Sequence, residues 1–349
     1  MSDRRNDPHR RDTAVRAIST VLGWTKKRRR TFPILRTVSE SRPIDVGFRK
    51  PPETPRPGPT VRTEITTVSP DGDARTRTDE VATEEPLEIR VQHRGHEHQV
   101  AVTMRTPGND FELAAGFLFS EGLIRARNHI SKVSYCASGP PEQLYNQVTV
   151  ELTDGAPFEP GEMQRNFYTT SSCGVCGKAS LDAVRVQSEP IGEGPEVDHE
   201  IFNTLPKKLR ARQRIFERTG GLHAAGLFDT GGDLKLLRED VGRHNAVDKL
   251  IGKLVMDGAV PAKDGILQVS GRTSFEIMQK AAVAGIPIVS AVSAPSSLAV
   301  ALADELNMTL VGFVRGDSFN VYSGPRRIRF ARNSAPGVSR SASDHDGAM

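Results

Sequence analysis

A chain of 349 residues with only three cysteines is not a disulfide-built scaffold, and a hydrophobic content of 37% is low for a chain folded from end to end. Net charge is +4, but residues 1–58 hold 15 Lys and Arg against 6 Asp and Glu, a net +9 that leaves −5 for the remainder. The basicity therefore belongs to an extension and does not mark the folded part as a nucleic-acid binder. No run of 18 apolar residues is present to span a membrane, and the sparse cysteines suit a reducing compartment, so a cytoplasmic location is expected.

In chain order, residues 1–84 are expected to form a basic, disordered extension: Lys26-Lys-Arg-Arg-Arg30 is followed by a proline-rich stretch and the turn Ser69-Pro-Asp-Gly72. A smaller α+β part is expected over residues 85–165. Leu87-Glu-Ile-Arg-Val91 and Gln99-Val-Ala-Val-Thr-Met104 alternate around Arg94-Gly95 as a hairpin. Asn109 and Glu112 have capping-box spacing ahead of a helix ending near Gly122, and strands follow at His129–Ala137 and Asn146–Leu152. His93, His96 and His98 lack a fourth ligand at a convincing spacing and read as surface residues.

Two of the three cysteines sit three positions apart in Tyr168-Thr-Thr-Ser-Ser-Cys173-Gly-Val-Cys176-Gly-Lys178. A glycine and hydroxyl loop is a poor place to bury a thiol, and the thiolate is the nucleophile. Lys178, and the start of a helix expected from about Lys178 through Val184, would both lower a thiol pKa.

The second half, an α/β part over residues 166–330, is more regular. A helix is expected over Phe202–Arg218, then the glycine-flanked segment around His223, a turn at Gly231-Gly-Asp233, and a helix after Arg243 with Val247, Leu250, Ile251, Leu254 and Val255 on one face. Strands at Gly265–Val269, Ile286–Val292 and Met308–Val314 alternate with helices opened by Thr273-Ser-Phe-Glu276 and Pro295, a β-α-β-α-β pattern that implies a parallel sheet. Residues 331–349 read as a disordered tail.

Ligands of such a sheet bind beyond the carboxyl ends of its strands. Three segments lie there: Ser270-Gly271-Arg272, the stretch around Ser293, and Arg315-Gly316-Asp317-Ser318. Their hydroxyls, amides and two arginines suit a phosphate- or nucleotide-bearing ligand, without a Walker loop or a dinucleotide fingerprint. Asp240, Arg243 and His244 form a second polar knot, in which His244 is either an acid or base oriented by Asp240, or part of a cap.

Taken together, Met104-Arg-Thr-Pro-Gly108, Gly116-Phe-Leu118, Ser171-Ser-Cys-Gly-Val-Cys-Gly-Lys178, Gly221-Leu-His-Ala-Ala-Gly226, Glu239-Asp-Val-Gly-Arg-His-Asn-Ala246, Ser270-Gly-Arg-Thr-Ser274, Ser293-Ala-Pro-Ser296 and Phe313-Val-Arg-Gly-Asp317 resemble, in this order, the formate dehydrogenase accessory sulfurtransferases (FdhD). The resemblance spans roughly Glu85 to Ile328. It implies a layered α/β fold like that of cytidine deaminases, homodimers, and a carrier that takes persulfide sulfur from a cysteine desulfurase. The sulfur then passes to the molybdenum cofactor, bis-molybdopterin guanine dinucleotide, that formate dehydrogenase needs. It implies Cys173 as the persulfide carrier, Cys176 as the second thiol, and Phe313, Val314, Arg315, Gly316, Asp317 and Ser318 as the cofactor-binding segment. The alternatives are a cofactor chaperone without sulfur transfer and a zinc-dependent deaminase. The deaminase signature needs His-x-Glu upstream and Pro before the first cysteine, whereas Ser172 precedes Cys173 and His96-Glu97-His98 is wrongly spaced.

Overall fold

The computed structural model describes residues 44–48, 56–136, 144–160 and 188–330. Its strands are β1 (Asp45–Phe48), β2 (Thr60–Val68), β3 (Ala74–Ala82), β4 (Glu85–His93), β5 (His96–Arg105), β6 (Ile130–Tyr135), β7 (Gln147–Leu152), β8 (Val197–Asp198), β9 (His223–Phe228), β10 (Leu234–Asp240), β11 (Ile266–Val269), β12 (Ile288–Ala291), β13 (Thr309–Arg315), β14 (Ser318–Ser323) and β15 (Ile328–Arg329). The α-helices are α1 (Asp110–Ser120), α2 (His199–Arg210), α3 (Arg214–Thr219), α4 (Arg243–Met256), α5 (Phe275–Val283) and α6 (Ser297–Glu305).

The first sheet has the order β1-β6-β7-β4-β5. The alternation that marks β4 sends Leu87, Ile89 and Val91 to full burial, while Arg90 stays on the other face and pairs with Glu88 (2.9 Å) and Glu97 (2.7 Å). Arg94 (φ 49°) and Gly95 (φ 80°) close the β4–β5 hairpin, as a two-residue turn with both φ positive requires. The second sheet has the order β10-β9-β11-β12-β13-β14. Its centre is the expected β-α-β-α-β unit: β11, α5, β12, α6 and β13, with the three strands parallel. Antiparallel partners flank this centre, β9 and β10 on one side and β14 on the other, so the sheet is mixed.

Both faces of β11 and β12 are covered, so every residue of them is buried, Gln268 and Ser290 included. Leu267, Val289 and Leu310 face one core, which also holds Leu87 and Ile89 of the first sheet and Leu113, Leu250, Met278 and Leu302 of the helices. Their chain neighbours Ile266, Ile288 and Val311 face another core, closed by Phe202, Leu205 and Leu209 of α2. The helices α1, α4, α5 and α6 thus share one hydrophobic cluster with both sheets.

Three expectations change. Residues 1–84 were expected to be unstructured throughout, yet β1 pairs parallel with β6, and β2 and β3 form an antiparallel hairpin with strands of nine residues each. Threonines and charges hide the period of two there, but β-branched Thr and Val favour strands as Ile does. The helix expected over Phe202–Arg218 is two helices. The Glu239 carboxylate accepts hydrogen bonds from Ile215 N (3.2 Å) and Phe216 N (2.9 Å), so α3 starts afresh on a long-range cap. The capping boxes expected at Asn109/Glu112 and, with the same spacing, at Thr273/Glu276 do not form: Asn109 is the α1 N-cap in the left-handed region (φ 59°) without a side-chain cap, and the α5 N-cap is Ser274 rather than Thr273. Glu112 instead forms an ion pair with Arg238.

Candidate functional site

The three segments predicted to gather beyond the parallel strands do meet. After β11, Thr273 N donates to Ala294 O (3.3 Å) and Thr273 O accepts from Ser296 N (3.0 Å), which laces the first loop to the second. Ser293 O accepts from Phe313 N (3.2 Å), and Val292 O accepts from Arg315 Nε (3.1 Å), which laces the second to the third. The third is a hairpin turn, with Arg315 paired to Ser318 across Gly316 (φ 58°) and Asp317. Phe313 adopts φ 53° and stays 37% exposed, with the Arg315 guanidinium 5.5 Å from its ring centroid.

The individual residues differ in what they can offer. Arg272, Arg315, Gly316, Asp317 and Ser318 are exposed along this edge. The Val314 side chain is buried in the core beneath, so only its backbone faces the edge. Ser270 is committed elsewhere: its amide donates to Ala224 O (3.0 Å) and its hydroxyl accepts from Ala224 N (2.9 Å). Gly271 lies against His223, where an added β-carbon would stand 3.3 Å from Nδ1. Beside these loops opens a cavity of about 530 Å³ lined by Leu209, Phe216, His223, Ser270 and Val292 among others. Sequence reasoning missed Leu209 and Phe216 at this cavity, since only the packing of α2 and α3 onto the sheet brings them there.

The second polar knot divides. Asp240, read as a possible partner for His244, does not reach it. Its Oδ2 accepts from Lys249 Nζ (2.6 Å) and Thr106 N (3.2 Å), and its Oδ1 accepts from Gly242 N (2.8 Å) and Asn245 Nδ2 (3.1 Å). Asp240 is a wholly buried tie between β10, the segment after β5, and α4. Arg105 is a similar tie, buried among Glu85, Asp110 and the Tyr145 carbonyl. His244 instead places Nε2 3.0 Å from Ser274 Oγ and 3.7 Å from Glu276 Oε2. This contact occupies the hydroxyl that would have capped α5. His93, expected at the surface, is 5% exposed and meets Phe158 edge-on at 5.8 Å, because it faces the same side of β4 as Val91.

Burial, then Arg243 and Lys280, push the His244 pKa down to about 4 against the pull of Glu276. Burial and Arg243 likewise hold His223 below the usual histidine range. The unfolded chain takes up a proton at His244 near the ordinary value of 6.5 that the folded chain refuses. Stability is therefore unaffected by this ring above that pH, and falls as pH drops from 6.5 towards 4. His244→Gln is expected to flatten the acid limb of a plot of Tm against pH over that window. An acid limb identical to wild type would show that another group carries the loss.

Cys173, Cys176 and Lys178 lie outside the described residues. Among the described residues, no group of three His, Cys, Asp or Glu is placed to hold a metal ion, and no helix is long and apolar enough to cross a membrane.

Residues 82–329, which include the Cys173 loop and all three edge segments, match the family model of the FdhD/NarQ family. The chain belongs to the FdhD/NarQ family. It is 52% identical over 272 residues to the sulfur carrier protein FdhD of Streptomyces avermitilis, an alignment covering 76% of this chain and 95% of that one. It is 46% identical over 258 residues to the protein of the same name from Sulfolobus acidocaldarius, covering 74% and 94%. A crystal structure of a candidate formate dehydrogenase accessory protein from Desulfotalea psychrophila superposes with a TM-score of 0.60 at 25% identity, covering 77% of this chain and 99% of that one. The FdhD/NarQ match begins at the last residue of β3, so β1 and nearly all of the β2–β3 hairpin precede it.

Proposed function

We propose that this FdhD/NarQ protein is a cytoplasmic sulfur carrier serving formate dehydrogenase. Cys173 takes the outer sulfur of a cysteine desulfurase persulfide: its thiolate attacks that sulfur, and the desulfurase thiolate leaves. The sulfur is then passed to the molybdenum cofactor, bis-molybdopterin guanine dinucleotide, which is the acceptor substrate. The observation that carries the reading is the near-complete alignment, at about half identity, with proteins named sulfur carrier protein FdhD. The edge segments support the acceptor half. Two exposed arginines, Arg272 and Arg315, and the amino ends of α5 and α6 converge on one edge, a donor set suited to phosphate and pyrophosphate oxygens. Phe313 beside Arg315 presents an aromatic face suited to a planar base. The resemblance also implies a homodimer and a sheet arrangement related to the cytidine deaminase fold.

Intact mass after incubation with a cysteine desulfurase and cysteine tests the reading. Wild type is expected to gain the mass of one or more sulfur atoms, removable by a reducing thiol, and Cys173→Ala is expected to gain none. A wild-type protein that gains no sulfur yet binds a guanine nucleotide would replace sulfur transfer with a chaperone role.

A further inference from the structure

Three polar side-chain atoms that are buried without a hydrogen-bond partner among the described residues lie at or under one cavity: Gln213 Nε2, Gln268 Oε1 and Ser290 Oγ. Gln213, 4% exposed, lines the cavity of about 530 Å³ together with Ser270 and Val292. Gln268 and Ser290 stand two residues before Ser270 and Val292, on β11 and β12, so they share that face of the sheet. They oppose each other in register and are wholly buried. Leu209, a further cavity residue, packs into the notch left by Gly226, which opposes Gln268 on β9: a β-carbon there would stand 2.5 Å from Leu209 Cδ1. Buried polar groups in a folded protein nearly all have partners. Three orphans gathered at one cavity mark a place whose partner comes from outside the chain.

The pattern they present is specific. Gln213 Nε2 is a donor that needs an acceptor. Gln268 Nε2 already donates to Val269 O (3.0 Å), which leaves its Oε1 as an acceptor that needs a donor. Ser290 Oγ adds a second acceptor. Leu209 and Phe216 supply apolar wall, and the Arg210 guanidinium lies 3.8 Å from the Phe216 ring centroid, a surface on which a planar ring stacks. Arg315, whose Nε donates to the carbonyl of the cavity residue Val292, sets a cation beside the same cavity.

We infer that the cavity recognises the 2-amino-4-oxopyrimidine edge of a fused bicyclic ring. The ring carbonyl accepts from Gln213, and the ring N–H and the amino group donate to Gln268 and Ser290. Leu209 must leave the Gly226 notch for a ring to reach that floor. Adenine presents one amino donor beside a ring-nitrogen acceptor, so it leaves one of the two buried acceptors unpaired. The inference rests on the reading that the molybdenum cofactor is the acceptor substrate. It assigns residues to that substrate outside the three edge segments, and both its guanine and its pterin carry the required edge.

Isothermal titration calorimetry of the full chain with GMP, 6-hydroxymethylpterin and AMP tests the site, with Tm as the check on folding. GMP or the pterin is expected to bind, and the tighter of the two names the end of the acceptor that enters. AMP should bind at least about tenfold more weakly, because it strands a buried acceptor. Ser290→Ala and Gln213→Leu should each weaken binding of that ring by about fivefold or more. Neither should lower Tm, since each deletes a polar atom that has no partner in the chain. A residue that only holds the fold would show the opposite, a lower Tm with unchanged binding. No binding of either ring, AMP binding as tightly as the better ring, or both variants binding as tightly as wild type would each overturn the inference. A chain that loads sulfur yet gives one of these results loses this site alone, whereas a chain that binds the ring and loads no sulfur loses the carrier reading and keeps the site.

Discussion

Gly116→Ala is expected to cost about 4 kcal/mol or more of folding stability, at the far end of single-substitution effects. A β-carbon on Gly116 of α1 would overlap the Asp248 carbonyl and stand 2.7 Å from the Gly252 amide nitrogen of α4; one on Gly252 would overlap the Glu112 carbonyl and stand 2.8 Å from the Gly116 amide. These neighbours are backbone atoms of a helix, so no rotamer change relieves the clash, and the helices must separate in the middle of the shared core. Alanine's better helix propensity returns only about 1 kcal/mol. Against a typical total of about 5–15 kcal/mol, the variant should melt far below wild type. Gly192→Ala, where an added β-carbon meets nothing within 4 Å, is the matched control and should melt with wild type. Equal melting of all three would mean that α1 and α4 do not cross at these glycines.

Lys249→Met is expected to cost about 3–5 kcal/mol, because it leaves the Asp240 carboxylate in the core without its ion pair. Lys249 and Asp240 are 1% and 0% exposed, and Lys249 Nζ also donates to Thr106 O at 2.8 Å. Urea denaturation measures the loss, and Lys249→Met/Asp240→Asn should recover part of it by removing the stranded charge. The same variants decide whether this knot is structural or chemical. A structural tie lowers the urea midpoint and spares sulfur loading at temperatures where the protein stays folded. Lost loading with an unchanged midpoint would put Asp240 back among the reacting groups.

The elements most legible in the sequence are those whose burial is one-sided or complete. Leu87, Ile89 and Val91 disclose β4 by alternation, Val247 to Val255 disclose α4 by helical spacing, and the short, largely apolar runs around Ile266, Ile288 and Leu310 disclose the parallel strands. The convergence of Ser270, Ser293 and Arg315 on one edge follows from that order, since the loops of a parallel unit must emerge on the same side. The β2–β3 hairpin was hidden by its threonines and charges, which resemble an unstructured linker in composition. The two capping boxes failed because the spacing is local while the outcome is not: Glu112 pairs with Arg238 far along the chain, and the helix after β11 starts one residue later than expected, on Ser274, whose hydroxyl meets His244.

By itself, then, the sequence determined the principal strands and helices after residue 85 apart from the break between α2 and α3, the parallel centre of the second sheet, the edge where its loops gather and the family to which the chain belongs. Each of these is written in periodicity or in contiguous motifs. Only the tertiary structure decided that Asp240 binds Lys249 rather than His244, that α3 is capped from Glu239, and that Gly116 and Gly252 set the approach of two helices. Those outcomes depend on which of several competing polar partners comes within hydrogen-bond reach once distant segments are packed, a choice no local pattern encodes.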